Sequence, residues 1–284
     1  MQIFEAIGKW LISIIGLLGI TFLLFHLVPN GSEDGQIKSQ VPDFLHWLGS
    51  FSRGLGFSSL YNVPVWEIIK ESFRWTFLIA IFAFGFNLLV LPLAVRIHLR
   101  KLNYLGNFLT VISLIPKYFW GLLLLFFFVS ILKLFSPLIF VRMEWCSWEN
   151  IYLLVPAFCL AWPNTGFLLQ QLLKEFKRLS SLDYARAARA KGMSEKEVLY
   201  AQILRPSLYT LVTSYSHIFP TYLIGSVLVE KIFGISGIGT LLIESMLARD
   251  FELMLGLTFF CGVIMTTIYL FSEYLLKIID VRTE

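Results

Sequence analysis

Long apolar runs alternate with shorter polar segments along this chain. The runs approach or exceed the roughly 20 residues that an α-helix needs to cross the hydrocarbon core of a bilayer. Their apolar residues are continuous rather than alternating one by one, which argues against a transmembrane barrel. The pattern predicts an all-α membrane protein with six transmembrane helices, at residues 7–28, 72–97, 104–133, 150–173, 206–229 and 253–278.

Composition supports a membrane environment. The chain is 57% hydrophobic and 15% charged, with a mean hydropathy of +0.74, whereas charged residues make up about a quarter of a soluble domain. The first apolar run, 7–28, could be mistaken for a secretory signal. It is longer than the apolar core of a signal peptide, lacks a clear small-residue cleavage site and precedes further spans, so we interpret it as a retained first helix.

The basic residues predict which way the helices cross. Three lie at the end of the second predicted helix and before the third, at Arg96, Arg100 and Lys101. Eight lie between the fourth and fifth: Lys174, Lys177, Arg178, Arg186, Arg189, Lys191, Lys196 and Arg205. Loops rich in lysine and arginine stay in the cytoplasm. With six helices, both termini should then be cytoplasmic and segments 29–71, 134–149 and 230–252 should face outward, all within a single transmembrane domain 1–284.

Two of these outward segments carry further signals. The outer loop 29–71 is marked by glycine and proline turns, and its Phe44-Leu45-His46-Trp47-Leu48 stretch suggests a short interfacial helix. The other, 230–252, is acidic. Its carboxylates are expected to be solvated or to contact an external partner: Glu230, Glu244, Asp250 and Glu252.

Several function classes lack the residues they require. The sequence contains no Gly-x-x-x-x-Gly-Lys-Ser/Thr phosphate-binding loop, so no ATP site of that kind is predicted. It also lacks the His-Glu-x-x-His and Gly-x-Ser-x-Gly patterns, and we predict no catalytic site. The cysteines, Cys146, Cys159 and Cys261, have no metal-ligand spacing. We therefore expect no metal, no cofactor and, because the basic residues form no continuous footprint, no nucleic-acid partner.

The most informative segment is the predicted cytoplasmic loop 174–205. Asp183 is suited to cap a helix, and the alanine-rich stretch after it favours helix formation. Gly192 followed by Ser194 and Glu197 indicates a helix end and a second helix start. Pro206 then suits the first turn of the fifth long helix. The sequence predicts a helix, a turn and a second helix.

The first of these short helices has two different faces. Ala185, Ala188 and Gly192 share one face, where a partner backbone could approach closely, while Arg186 and Arg189 project elsewhere. Such a helix is suited to docking into a groove of another protein. An ordinary basic loop that merely follows the charge rule explains the same residues.

Polar residues within the predicted spans are the other candidates, because they are costly there. His217, Tyr215 and Asn164 could line a pathway. A histidine that only packs between helices is an equally good interpretation. Lys117 is expected to extend towards an interface.

The loop resembles a motif of one protein family. Its Asp183-Tyr-Ala-Arg-Ala-Ala-Arg-Ala-Lys-Gly192 stretch is similar to the EAA loop of the permease subunits of dipeptide, oligopeptide and nickel ABC importers. Further stretches resemble the same family in the same order: Trp47-Leu48-Gly49, Arg53 to Ser58, Ser113 to Pro116, Phe119-Trp120, Val229 to Phe233, Gly237-Ile238-Gly239, Arg249-Asp250 and Asp280 to Arg282. Arg186 stands where the motif's glutamate would be, as is usual in this branch.

The resemblance implies a type I ABC importer permease in the bacterial inner membrane. Its partners would be a second permease subunit, two cytoplasmic ATPase subunits, an external solute-binding protein and the lipid bilayer. The ATPase-coupling residues would be Asp183, Ala185, Arg186, Ala187, Ala188, Arg189, Gly192 and Pro206, with the closest docking at Ala187, Ala188 and Gly192. The cargo would be peptides or, as an alternative, nickel or another chelated metal.

An ion-coupled secondary transporter is the rival class. It would require carboxylates near the middle of the bilayer and two hydrophobic halves that mirror each other. Neither is evident in the sequence.

Overall fold

The computed structural model describes residues 2–26, 54–99, 115–127 and 152–279, and the single positions 49, 111 and 130. The helices of this part are α1 (Gln2–His26), α2 (Val65–Leu99), α3 (Lys117–Phe126), α4 (Leu154–Ser180), α5 (Asp183–Ala190), α6 (Glu195–Val198), α7 (Leu204–Phe233), α8 (Ile238–Ala248) and α9 (Phe251–Ile279). A helix overlaps each of the six predicted spans. Six crossings and cytoplasmic termini stay predictions. The predicted interfacial helix at 44–48 lies outside the described residues.

Length and composition identify fewer clear spans than the sequence predicted. Within the described ranges, two helical stretches are long and apolar enough to cross a membrane, Val65–Arg96 and Phe251–Tyr274. The pair Gly225–Phe233 and Ile238–Ala248 passes the same test together, but it is bent by 83° at the break between the two helices. It would form a third span, or a loop that re-enters the membrane from one side.

Three predicted boundaries are wrong. Residues 65–71, assigned to the outer loop, form the first turns of α2. Helix α4 continues to Ser180, beyond the predicted end at 173, so the connection between α4 and α7 is residues 181–203. Segment 230–252, predicted to be a loop, contains α8. Hydropathy alone predicts where a chain is apolar enough to cross a membrane. It does not predict helical segments that are polar or too short to cross.

The main core lies between α2, α4 and α7. The side chains of Ile79, Leu160 and Leu168 are completely or almost completely buried there. Helix α1 packs on α9, where the Trp10 indole donates a hydrogen bond to Thr267 Oγ1 at 3.1 Å. The three central helices therefore form one packed unit, with α1 and α9 paired beside it.

A buried polar network joins the three central helices. Asn87 of α2 is fully buried, and its amide donates to the Ala161 carbonyl of α4 at 3.2 Å and to the Tyr222 hydroxyl of α7 at 2.7 Å. The Thr165 hydroxyl donates to Asn87 Oδ1 at 2.9 Å. Leaving a buried polar group unpaired costs about 1–3 kcal/mol. The network therefore fixes the relative positions of α2, α4 and α7.

Candidate functional site

The connection between α4 and α7 forms the predicted helix, turn and second helix. Helix α5 begins one residue earlier than a cap at Asp183 requires, because Leu182 is the N-cap residue. Asp183 is instead the first residue of the helix, where a negative charge is favourable. Its side chain is 99% exposed and forms a 3.5 Å ion pair with Arg186. The prediction that Asp183 caps the helix is therefore wrong.

The turn after α5 is confirmed. Gly192 has a φ of +85°, a left-handed conformation that glycine adopts at no steric cost. The Met193 N–H donates to the Ala188 carbonyl at 3.2 Å and the Gly192 N–H to that of Arg189 at 2.9 Å, which is the Schellman pattern for ending a helix. Helix α6 then begins with a capping box between Ser194 and Glu197.

The small-residue face of α5 is not open to a partner. Ala185 is 0% exposed and Ala188 is 6% exposed, and both belong to the main core together with Leu179 of α4 and Val198 of α6. The prediction that this face docks a partner backbone is wrong for these two alanines. Small residues are needed there because α5 folds back closely on its own chain.

Arg189 braces this folded connection. Its guanidinium donates to the Ser180 carbonyl at 2.8 Å, to the Ser180 hydroxyl, and to Glu195 Oε1 at 2.8 Å. One side chain thus joins the end of α4 to the start of α6. The hydrogen bonds from Arg189 lower the pKa of the Glu195 carboxyl, and those from Ser194 lower the pKa of Glu197.

The turn at Gly192 is one exposed part of the connection. A surface groove of about 580 Å³ is lined by Lys191, Gly192, Met193, Glu197, Tyr200 and Ala201. Tyr200 is 68% exposed beside it. Ala187 and Arg186 of α5 are also exposed. The surface available for contact is therefore the outer side of α5 together with the turn at Gly192.

The connection continues into α7 without a break. Residues Leu199–Ile203 form a π-helical turn between α6 and α7, and Pro206 lies in the first turn of α7, as predicted. Proline has no N–H and its ring crowds the carbonyl four residues earlier. A wider turn just before it accommodates this, and the chain stays helical from Glu195 to Phe233.

Two of the three predicted pathway residues, Asn164 and Tyr215, lie near Tyr222, and His217 points elsewhere. Asn164 donates to the Leu160 carbonyl of its own helix at 3.1 Å and contacts Tyr222. The Tyr215 ring packs on Phe84 with centroids 5.2 Å apart. His217 is exposed, because residues two apart on a helix point in nearly opposite directions.

The sharp corner between α7 and α8 is built around Glu230. This carboxylate is fully buried. It accepts hydrogen bonds from the Thr76 hydroxyl at 2.7 Å and from the backbone N–H groups of Gly239 at 2.8 Å and Thr240 at 3.2 Å. Thr76 in turn accepts from the Ile238 N–H at 2.9 Å. Two side chains from outside α8 thus satisfy the N–H groups of its first turn.

The glycines of this corner are required by the close approach of Glu230. A Cβ on Gly237 would overlap the Glu230 carboxyl, and one on Gly239 would overlap the backbone of Val227. Gly234 ends α7 with a φ of 67°. The sequence quoted for the family resemblance, Val229 to Gly239, is thus the sequence of one structural corner.

The other acidic residues of segment 230–252 hold a turn that precedes α2. Asp250, 2% exposed, accepts from the Ser58 hydroxyl at 2.6 Å and the Leu60 N–H at 3.1 Å. Glu252 accepts from the Phe57 N–H at 2.6 Å.

Glu244 completes this contact. It accepts from the Tyr61 hydroxyl at 2.9 Å and from Lys231 at 3.1 Å, and burial together with the Glu244 bond raises the pKa of Tyr61 to about 12. The expectation that the four carboxylates form a solvated face is therefore wrong. Sequence distance hid these contacts, since the bonded residues are up to 195 positions apart.

The long apolar helices are those of a membrane protein, and comparison with known families makes it a membrane transport component. The family described as binding-protein-dependent transport system inner membrane component matches residues 88–284. The chain belongs to that family.

The similar proteins are named as transport permeases. The chain is 28% identical to an oligopeptide transport system permease protein of Bacillus subtilis, over 98% of both chains. It is 30% identical to a putative peptide transport system permease protein of Brucella abortus, over 93% of both. A nickel import system permease protein of Staphylococcus aureus is 23% identical over 88% of this chain and 76% of that protein.

Proposed function

We propose that this chain is a permease subunit of an ATP-driven bacterial importer and forms the pathway for peptides across the cytoplasmic membrane. Peptide is favoured because relatives similar over nearly their whole length are named as peptide or oligopeptide permeases. The nickel relative is less similar and covers less of both chains. In the proposed topology, the chain crosses the membrane six times and both termini lie in the cytoplasm.

The observation that carries the proposal is the folded connection 181–203. It is rigid, because Ala185 and Ala188 are buried in the main core and Arg189 joins the end of α4 to the start of α6. It also presents an exposed groove at Gly192. A partner that binds this groove can therefore move α4 and α7 without first deforming the loop.

In the importer, a cytoplasmic ATPase subunit binds α5 and the turn. Closure of the ATPase pair on ATP displaces the connection, which moves the packed helices α2, α4 and α7 as a body between inward-open and outward-open arrangements. A second permease subunit completes the pathway, and an external binding protein delivers the cargo. This chain holds no ATP and performs no chemistry.

The proposal can be tested by placing a negative charge on the exposed side of α5. Ala187→Glu adds a carboxylate at an exposed position, so the fold should be retained while the ATPase contact is lost. We expect at least about tenfold less ATPase to co-purify with the assembled permease, since a tenfold change requires only about 1.4 kcal/mol. ATP-dependent peptide uptake should fall with it.

The matched control is Ala248→Glu, the same change at an exposed alanine at the end of α8. It should leave the amount of co-purified ATPase unchanged. If Ala187→Glu retains as much ATPase as this control, the connection is not the ATPase contact and the proposal is wrong.

A further inference from the structure

Lys117 is a cation with no counter-ion among the residues that the structure describes. It is the first residue of α3, after the N-cap residue Pro116, and it is half-buried. The salt bridges and hydrogen bonds found among the described ranges do not include its ammonium group. A positive charge at a helix N-terminus is also unfavourable to the helix dipole. Nothing in the described fold compensates this charge.

The ammonium lies deep along α7. Helix α3 runs beside α7. Gly121 of α3 faces Ile232 and Phe233, near the end of α7. The Lys117 Nζ, by contrast, lies against Gly225, further back along α7. The side chain therefore extends away from the end of α7, to a level about 12 Å along the helix axis from Phe233. In the proposed topology that level is inside the hydrocarbon layer. Intramembrane charges face water-filled cavities or partners rather than lipid.

The surface of α7 leading away from this point is polar. His217 and Thr221 are exposed and precede Gly225 at intervals of four residues, so the three positions follow one another along the helix. The His217 imidazole has no hydrogen bond to another residue in the described part of the chain. By contrast, the exposed positions of α2 between residues 77 and 93 are apolar, and they include Ile81, Leu88, Leu89 and Leu93. The apolar surface of α2 suits lipid, and the polar surface of α7 suits an aqueous pathway.

We propose that Lys117 binds the carboxylate of the peptide as it passes, on a pathway surface that continues along Thr221 and His217. The inference rests on the proposed function. A carboxylate is the anion that every linear peptide with a free C-terminus carries, and it supplies the charge and the acceptor oxygens that the ammonium lacks. Gly225 leaves the space for the ammonium, since a Cβ there would overlap Nζ.

The test compares a labelled tripeptide with its C-terminal amide. Uptake is measured in proteoliposomes that hold the complete importer, with saturating binding protein, for wild type, Lys117→Met and Lys117→Arg. For each peptide, uptake by the variant is divided by uptake by wild type. Both measurements use the same binding protein, so its preference for either peptide cancels from this ratio. A Lys70→Met variant, at an exposed lysine in the first turns of α2, controls for loss of a positive charge.

Lys117→Met should lower uptake of the free-acid peptide about tenfold, as expected for one lost charge-assisted hydrogen bond, and leave uptake of the amide unchanged. Lys117→Arg keeps the positive charge, so it should retain most of the wild-type uptake of the free-acid peptide. Equal effects on both peptides, no effect on either, or loss of the assembled importer on size exclusion would overturn the inference. If wild type carries no peptide in an ATP-dependent way, the proposed function fails as well, and this outcome is distinguishable from the others.

Discussion

Replacing Gly239 with alanine is expected to lower the free energy of unfolding by about 3 kcal/mol, at the upper end of overpacking costs. The added methyl group would overlap the backbone of Val227 and approach the Glu230 carboxylate. A backbone atom cannot move aside as a side chain can. Either α8 separates from α7, which leaves the buried Glu230 without its N–H donors, or the strain stays in the fold.

The measurement is the thermal unfolding midpoint of the detergent-solubilised protein. A loss of this size should lower Tm by several degrees. Gly85→Ala is the matched control, because a Cβ there meets no atom within 4 Å and alanine favours helix. Its Tm should stay the same or rise. An unchanged Tm for Gly239→Ala would mean that the corner is not packed as described.

Replacing Arg189 with alanine is expected to uncouple ATP hydrolysis from transport. The variant removes the bonds that join Ser180 to Glu195, while the exposed surface at Ala187 and Gly192 remains. The ATPase should therefore still co-purify. Peptide uptake should fall about tenfold, which corresponds to about 1.4 kcal/mol, because movement of the connection no longer reaches α4 fully.

Arg178→Ala is the matched control for this experiment. Arg178 forms a two-bond pair with Glu175, but both residues belong to α4, so that pair joins no separate elements. We expect uptake close to wild type. If Arg178→Ala and Arg189→Ala lower uptake equally, Arg189 has no specific bracing role.

The Arg189 brace should also depend on pH in one direction. The pKa of Glu195 is lowered from its usual 4.5 by its hydrogen bonds with Arg189. A carboxyl whose pKa is depressed by folding contributes stability above its unfolded pKa and loses that contribution as the pH falls through the folded value. The brace is therefore complete at neutral pH and weakens only in acid below 4.5.

The sequence predicted the periodic and local features well. A helix overlaps each predicted apolar run, because hydropathy and length report directly on burial in lipid. The turn at Gly192 and the helix start at Ser194 were also predicted, since both follow from the conformation of glycine and from a capping box four residues long. These features depend only on neighbouring residues.

The features that were missed depend on distant residues. Burial of Ala185 and Ala188 follows from how α5 folds against α4 and α6, which helical periodicity does not reveal. Glu230 looked like a surface acid because its partners Thr76 and Gly239 lie on two other helices. The pairing of an acid with a following Gly-x-Gly was a usable signal, since close backbone approach requires glycine.

The turn before α2 has a consequence for biosynthesis. Phe57 and Ser58 bond to Glu252 and Asp250, residues that the ribosome adds after most of the chain has been translated. While the nascent chain is being inserted, this turn lacks its acceptors, and its left-handed residues Gly54, Leu55 and Gly56 are not held by them. The backbone hydrogen bonds within the turn, such as that from the Val65 N–H to the Gly56 carbonyl at 3.1 Å, can form earlier. The bonds that attach the turn to the start of α9 form last, and a chain truncated before Asp250 would leave the turn unattached and open to quality-control proteases.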